Sequence, residues 1–450
     1  MSDIKYPTNK KLYPFQIETI EKTLSFFAAN KSKAAYVANQ MGTGKSPTSV
    51  VTANTLNAKH VLIVCPAVMR LTWETEVKNW TTLDSPTIQV VLTGKDLTTK
   101  TERTNYLITS YSLAATKTHA DILSKMTFDL VICDESHYLK NFKALRTKAL
   151  LKSILPNGTY KLLLSGTPMT SGAADLYTTF NFILPELFPT WHYFVNRYCH
   201  RRVTPFATLY TGVKNSEELS QVIRKYFYIR YRKEDVLKEL PGKQHQHIRL
   251  ESKYSVKLHG KSAAEEKQLT EDIKKVEDAL KNGKVVVLPA SLAEHRRLQG
   301  EAKAPAVAEY AKELLEQNIP LVIFAHHKNV IAKLKELLSV YNPYVVTGET
   351  SMPDRQAAID GFQAGKSNLF IGNYVAAGIG CTLTKASTVL LAEVDYSPAV
   401  VNQAIDRCHR IGQKDSVNIY WFVVEKSIDE RIESIVRQKT LDFEKLLDKS

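Results

Sequence analysis

The sequence predicts an α/β protein made of two parallel-sheet lobes with short helical protrusions. Short, wholly apolar blocks rich in β-branched residues alternate with longer stretches of helical spacing, the pattern of strands covered on both faces by crossover helices. The alternation runs to about residue 165, lapses, and returns after about residue 300. Between the two runs, Leu240-Pro241-Gly242-Lys243 interrupts every periodicity. The expected domains are therefore 1–240 and 241–450, each long enough to bury its own core.

In chain order, an amphipathic helix is expected over 14–28, then an apolar strand at 34–38 and a glycine-rich loop. Strands follow at 61–65, 106–109, 130–133 and 161–165, with a helix at 71–80. Residues 172–240 leave this pattern, first aromatic and helix-like and then strongly basic. Residues 255–300 are charged and helical in spacing, as in a solvated amphipathic hairpin. The second lobe repeats the grammar with strands at 321–325, 344–346, 368–371 and 388–392 and helices at 329–338 and 354–362. An amphipathic helix over 427–447 closes the chain and is expected to pack on the second lobe.

Composition narrows the partners. The 450 residues carry a net charge of +14, and the imbalance is one-sided. Residues 1–250 hold 33 basic against 19 acidic side chains, whereas 251–450 balance at 27 each. An excess of this sign points to an acidic partner, nucleic acid first and an anionic membrane surface second, against the plain alternative of a basic enzyme surface. No apolar run reaches the ~18 residues of a membrane span, and the opening MSDIKYPTNKK has no apolar stretch, so secretion is not expected. Cys65, Cys133, Cys199, Cys381 and Cys408 form no CxxC pair and read as reduced, mostly buried thiols of a cytosolic protein.

Four motifs are candidates to carry chemistry. NQMGTGKS (39–46) lies between a strand and a helix, where backbone N–H groups of a glycine-rich turn cradle phosphates. Lys45 would reach the β- and γ-phosphates and the Ser46 hydroxyl would ligate Mg2+, although Asn39 stands where the strict motif begins with glycine. Pro47 fits the first turn of the following helix, where an N–H is not needed. Asp134-Glu135 ends the strand 130–133. Alone it is an ordinary acidic turn; following a phosphate loop it supplies a Mg2+ carboxylate and a carboxylate that polarises the attacking water. Ser165-Gly166-Thr167-Pro168 is either a tight turn or a hydroxyl link from the nucleotide site to a neighbouring surface. In the second lobe Gln403, Arg407 and Arg410 have i, i+4, i+7 spacing, one face of a helix, from which two arginines would stabilise transition-state charge. His245, His247 and the His326-His327 pair lack companion ligands and read as solvated or core histidines; Trp73 and Trp80 read as core anchors.

Taken in order, YPFQ (13–16), NQMGTGKS, CPAVMRLTWETEVKNW, ITSYSL, CDESHYLKN, LLLSGTPMTS, AAGIGCTLT and QAIDRCHRIGQ resemble the helicase motifs of superfamily 2, in particular the SWI/SNF-type ATPases. EAKAPAVAEY, FAHHKNV, LLAEVDYSP and HRIGQKDSVNIYW resemble most the HepA-related annealing helicases that remodel stalled forks. The resemblance implies two RecA-like lobes and ATP as the nucleotide with Mg2+. It implies nucleotide contacts from Gln16 (to adenine), Met41, Gly42, Thr43, Gly44, Lys45, Ser46, Gly378 and Gln403. Ser46 and Asp134 would hold the metal, and Lys45, Asp134, Glu135, Arg407 and Arg410 would be catalytic. Asn39 and Gln40 depart from the acidic residues usual there, and Cys381 from the usual Leu.

The implied activity is an ATP-driven DNA motor whose lobes grip the backbone alternately, with branch migration, fork regression or annealing as its work. A duplex translocase that displaces bound proteins without strand exchange shares every motif. Phosphate contacts are expected chiefly from 197–249, which holds 12 basic and 5 acidic residues: Arg201, Arg202, Arg224, Lys225, Arg230, Arg232 and Lys233. Ser110 and Tyr111 of the ITSYSL motif are expected to join them. A monomer is expected, compact enough to be phage-encoded and to act in the cytoplasm of a bacterium or infected host, or in the nucleus if the source is eukaryotic.

Overall fold

The computed structural model describes residues 3–97, 104–169, 172–203, 208–251, 271, 290–377 and 381–447. Most of the expected hairpin at 255–300 and Gly378 lie outside the described residues. The chain divides into two compact units, Met1–Val236 with Phe443–Ser450, and Leu237–Asp442.

The first unit holds a seven-stranded, wholly parallel sheet. Its strands are β1 (Ala34–Val37), β2 (Val61–Cys65), β3 (Ile88–Val90), β4 (Tyr106–Ser110), β5 (Phe128–Cys133), β6 (Gly158–Leu164) and β9 (Tyr228–Ile229), in spatial order β3-β4-β2-β5-β6-β1-β9. The five expected strands fall in place to within a few residues. Strands β3 and β9 are too short and too polar in their surroundings to stand out in sequence. Helix Pro14–Ala29 precedes β1, helices Lys45–Thr55 and Arg70–Trp80 cross over between strands, and a small antiparallel hairpin, β7 (His200–Val203) with β8 (Thr208–Thr211), is appended.

The aromatic stretch after residue 172 is part of this unit's core. Phe180 of helix Tyr177–Ile183 packs edge-on against Tyr36 of β1 at 5.7 Å and against Tyr228 of β9, Phe188 packs on Phe180, and Phe194 of helix Trp191–Tyr198 packs on Phe188. Removing one such fully buried ring costs about 3–5 kcal/mol, so this segment holds the sheet that carries the phosphate loop.

The second unit has a six-stranded parallel sheet, β10-β15-β14-β11-β13-β12. Its strands are β10 (Lys243–Leu250), β11 (Leu321–Ala325), β12 (Tyr344–Val346), β13 (Leu369–Asn373), β14 (Thr388–Leu391) and β15 (Val417–Val424). Central β11 and β14 are wholly buried, while edge strand β10 is largely exposed and reads as polar sequence, KQHQHIRL. Lys303 of helix Ala290–Glu316 is 1% exposed; its Nζ donates to the Phe422 carbonyl (2.9 Å) and the Asp429 carboxylate (2.8 Å). That pair ties the long helix to β15 and to helix Ile428–Leu447. Among the described residues no helix is long and apolar enough to cross a membrane.

Candidate active site

The loop Asn39–Gly44 leaves β1 at the carboxyl edge of its sheet, where ligands bind in open parallel sheets. Gly42 (φ 75°) and Gly44 (φ 81°) turn it through left-handed backbone. Helix Lys45–Thr55 then begins directly, placing its N-terminal turn at the loop, with Pro47 in the first turn as expected. Asn39 takes a structural role: its amide donates to Thr19 Oγ1 (3.1 Å) and its Oδ1 accepts the Tyr231 N–H (3.0 Å). Gln40 Oε1 accepts the Lys233 N–H. The two departures from the usual motif thus fasten the loop to the first helix and to the segment after β9.

Lys45 Nζ donates to the Asn39 carbonyl (2.9 Å) and the Gln40 carbonyl (3.3 Å), which keeps the ammonium over the loop. Gln16, buried at the start of helix Pro14–Ala29, donates to the Thr43 carbonyl (2.9 Å) and accepts the Tyr13 N–H. Glycine at 44 is favoured by its left-handed backbone, and a Cβ there would lie 2.4 Å from Gln16 Nε2 and displace that amide. A Cβ at Gly166 would lie 2.5 Å from Met41 Cγ and 3.2 Å from Lys45 Nζ, so the SGTP turn presses directly on the loop.

Asp134 and Glu135 follow β5. Asp134 is buried; its Oδ2 accepts the Trp73 indole N–H (2.9 Å) and its Oδ1 accepts the Glu135 N–H (2.9 Å). Burial, then the neighbouring Glu135 charge, push its carboxyl up to about 6; the indole bond and the Lys45 charge act the other way. Glu135 sits in left-handed backbone (φ 51°), a local strain typical of functional positions. Its Oε2 accepts from Ser165 Oγ (3.4 Å) and lies 3.2 Å from His137 Nδ1. The first-unit motifs therefore converge on one loop. Its oxygen donors, a hydroxyl and a carboxylate held near its ionisation point, suit a hard cation such as Mg2+.

In the second unit the structure corrects the helical reading of the arginine motif. Helix Pro398–Ile405 ends before Arg407, so Gln403, Arg407 and Arg410 do not share a helix face. Arg407 Nε donates to the Gln403 carbonyl (3.1 Å), and Arg410 Nη1 donates to Thr382 Oγ1 (2.9 Å). Gln413 is the staple of this turn: its amide donates to the carbonyls of Thr384, Ala386 and Cys408, and its Oε1 accepts the N–H of Lys414 and Asp415. Nothing in the spacing announced that role.

The expected DNA contacts separate. Arg201 is exposed on β7, and the Arg202 side chain lies outside the described residues. Arg230 Nη1 donates to the Ala38 carbonyl (2.9 Å) and Lys233 is 3% exposed, so both serve the phosphate-loop strand from within. Arg232 is held by Glu234 and Asp235. Ser110 and Tyr111 face inward: Ser110 caps a short helix, and the Tyr111 hydroxyl donates to the Asp134 carbonyl (2.7 Å). Arg224 is half-buried beside Ser220, whereas Lys225 is exposed.

Two features escaped sequence reasoning. Trp73 was assigned to the core, and it is buried, yet its indole N–H is spent on Asp134. His327 is held by Glu393, whose Oε2 accepts the N–H groups of His326 and His327 at 2.8 Å each while Oε1 meets His327 Nδ1 at 2.7 Å. These partners sit 66 residues apart, beyond any local spacing signal. Among the described residues no group of three or more His, Cys, Asp or Glu is arranged to hold a metal ion.

Comparisons agree on the neighbourhood of this chain. The family model for the SNF2-related domain matches residues 18–298, and that for the helicase conserved C-terminal domain matches 306–412. The chain is 32% identical over 452 residues to the SWI/SNF-related matrix-associated actin-dependent regulator of chromatin subfamily A-like protein 1 of Xenopus tropicalis, covering 98% of this chain and 45% of that protein. It is 31% identical to the Caenorhabditis elegans homolog of that protein (96% of this chain, 61% of the homolog). It is 29% identical to the human DNA annealing helicase and endonuclease ZRANB3 (95% and 40%). The chain thus spans less than two thirds of each relative, and all three are animal proteins, which lends no support to a bacterial or phage-infected setting. A solved structure, the Sulfolobus solfataricus SWI2/SNF2 ATPase core in complex with dsDNA, is similar at a TM-score of 0.47 and 19% identity, covering 100% of both chains.

Proposed function

The chain belongs to the SNF2-related family of helicase-type ATP hydrolases, and from that premise we propose a DNA-dependent ATPase that travels on DNA and remodels branched substrates by branch migration, fork regression or annealing. The observation that carries the catalytic part is the convergence of Lys45, Asp134, Glu135 and the Ser165-Gly166 turn on one glycine loop.

ATP is the substrate. Its adenine would lie against Gln16 and its phosphates against the loop N–H groups, with Met41, Thr43, Gly378 and Gln403 as further contacts. Lys45 would exchange its hydrogen bonds to the Asn39 and Gln40 carbonyls for bonds to phosphate oxygens. Ser46 and Asp134 would hold Mg2+, which would neutralise phosphate charge as it develops. Glu135 would accept a hydrogen bond from the attacking water and align it. Its backbone strain and its Ser165 and His137 neighbours restrict where that carboxylate can point. Arg407 and Arg410 would supply positive charge to the transition state.

DNA remodelling is supported by the similarity to the human DNA annealing helicase and endonuclease ZRANB3, which aligns with 95% of this chain. Contacts to phosphate carry no base information, so travel should be sequence-tolerant and weakened by salt. The test is ATP-dependent branch migration of synthetic three- and four-way junctions, with linear duplex as control. Strand exchange driven by ATP is the expected result. Hydrolysis stimulated equally by linear duplex, with no strand exchange, would assign the chain to protein displacement instead; hydrolysis indifferent to all DNA would refute both.

A further inference from the structure

Five basic side chains and no acidic one occupy residues 136–155, immediately after the Asp134-Glu135 pair. Lys143, Arg146, Lys148 and Lys152 of that segment are exposed. In the same segment Phe142 is 43% and Leu145 76% exposed, apolar surface that a lone folded unit gains nothing by showing. The Phe142 ring lies 5.7 Å from that of Trp191, which meets Tyr210 edge-on at 6.2 Å. Tyr210 pairs across the β7–β8 hairpin with exposed Arg201. Lys143 Nζ lies over the Phe142 ring at 5.9 Å, so rings and cations form one face of the first unit, whereas the basic residues at 230–233 are occupied internally.

We propose that the Phe142–Trp191 face, with Lys143 and Arg146, is a stacking site for unpaired bases of single-stranded DNA. The proposal rests on the reading of the chain as a DNA remodeller and names the part that would hold a displaced strand. Duplex DNA keeps its base faces inside its own stack and meets a protein mainly through phosphates, for which an exposed phenyl ring has no use. Unpaired bases present flat faces to such rings while their phosphates meet the cations, the combination found in single-strand sites. Charge complementarity selects a polyanion over an apolar peptide. The face also adjoins the catalytic carboxylates. The guanidinium of Arg146 lies over the Tyr138 ring (5.4 Å) and its Nε donates to the Tyr138 carbonyl (2.9 Å); Tyr138 stacks on Tyr111, which bonds the Asp134 carbonyl.

The test measures binding of fluorescent oligo(dT) and of linear duplex to the full chain by anisotropy. Phe142→Leu keeps apolar bulk and removes the ring, Phe142→Tyr keeps the ring, and Lys143→Ala removes one cation; all lie on exposed positions, and thermal melts confirm folding. Phe142→Leu is expected to weaken oligo(dT) about tenfold, the change expected for one lost base stack, with duplex affinity little altered and Phe142→Tyr close to wild type. Lys143→Ala should lower the salt slope for oligo(dT) by about one. Oligo(dT) affinity unchanged in both Phe142→Leu and Lys143→Ala overturns the proposal and leaves the face to a protein. If wild-type hydrolysis is stimulated by duplex while those variants bind oligo(dT) normally, this site fails alone; absence of all DNA stimulation in wild type is failure of the parent reading.

Discussion

Replacing Trp73 by Phe tests whether the indole acts on the chemistry or only fills space. The ring is fully buried and its Nε1–H donates to Asp134 Oδ2 at 2.9 Å. A hydrogen bond to a charged group contributes about 1.5–3 kcal/mol, and 1.36 kcal/mol corresponds to one unit of pKa. Without the N–H, the Asp134 carboxyl, already raised to about 6 by burial and Glu135, should rise by about one to two units further. The carboxyl must be ionised to hold Mg2+, so the acid limb of ATP hydrolysis should move upward by that amount at low Mg2+. Raising Mg2+ should pull it back in both proteins, since cation and proton compete for one oxygen. The sign for stability is the reverse. The folded carboxyl titrates above its ordinary 3.8, so its contribution is complete below about pH 4 and lost as pH rises through about 6. The assay is a pH profile of kcat at two Mg2+ concentrations, with melts at each pH as the folding control. Superimposable acid limbs for wild type and a folded Trp73→Phe protein would refute the reasoning and return Trp73 to a packing role.

Lys45→Ala should abolish ATP turnover and leave most DNA binding, measured by coupled hydrolysis and anisotropy; retained DNA-stimulated turnover would sink the site assignment. Gly44→Ala forces a Cβ against Gln16 Nε2 at 2.4 Å in left-handed backbone, so ATP affinity should fall at least tenfold by equilibrium titration, a loss of about 1.4 kcal/mol or more. Gln413→Ala leaves the carbonyls of Thr384, Ala386 and Cys408 without their amide donor. It should lower kcat far more than nucleotide affinity, because it loosens the turn bearing Arg407 and Arg410; an unchanged kcat would separate the turn from catalysis. Asp429→Ala strips the carboxylate from Lys303, a 1%-exposed cation, and should destabilise the second unit by about 3–5 kcal/mol in urea unfolding.

What the sequence made legible follows a physical division. Strands buried on both faces announce themselves as unbroken apolar runs, and those at 61–65 and 321–325 match the structure residue for residue. Edge strands are read poorly because exposure relaxes their composition: β10 is KQHQHIRL, and β9 is two residues long. Backbone-driven motifs were also legible, since Gly42, Gly44 and a helix start at Lys45 are local facts. The arginine motif misled because i, i+4, i+7 spacing permits a helix without compelling one. Here Gln413 reaches back to carbonyls as distant as Thr384 and binds the segment as a turn.

Charge was the least transferable signal, and the reason bears on where DNA should be sought. Net charge counts side chains without regard to what they already hold. Arg230, Arg232 and Lys233 contribute to the excess of the first 250 residues, yet a backbone carbonyl, two carboxylates and burial occupy them. Exchanging those partners for phosphate would cost the loop strand its support, so an approaching polyanion gains little from them. Residues 136–155 carry less charge but have no acid among them, and four of their cations are exposed, Lys143 over the exposed Phe142 ring and Arg146 over Tyr138. A polyanion is attracted to cations that no internal carboxylate neutralises. The ring faces then add what phosphate contacts lack, a preference for bases that have left the duplex. On that argument the strand released by a remodelled junction belongs beside the Asp134-Glu135 turn, on the Phe142 face, rather than along the more basic stretch toward the end of the first unit.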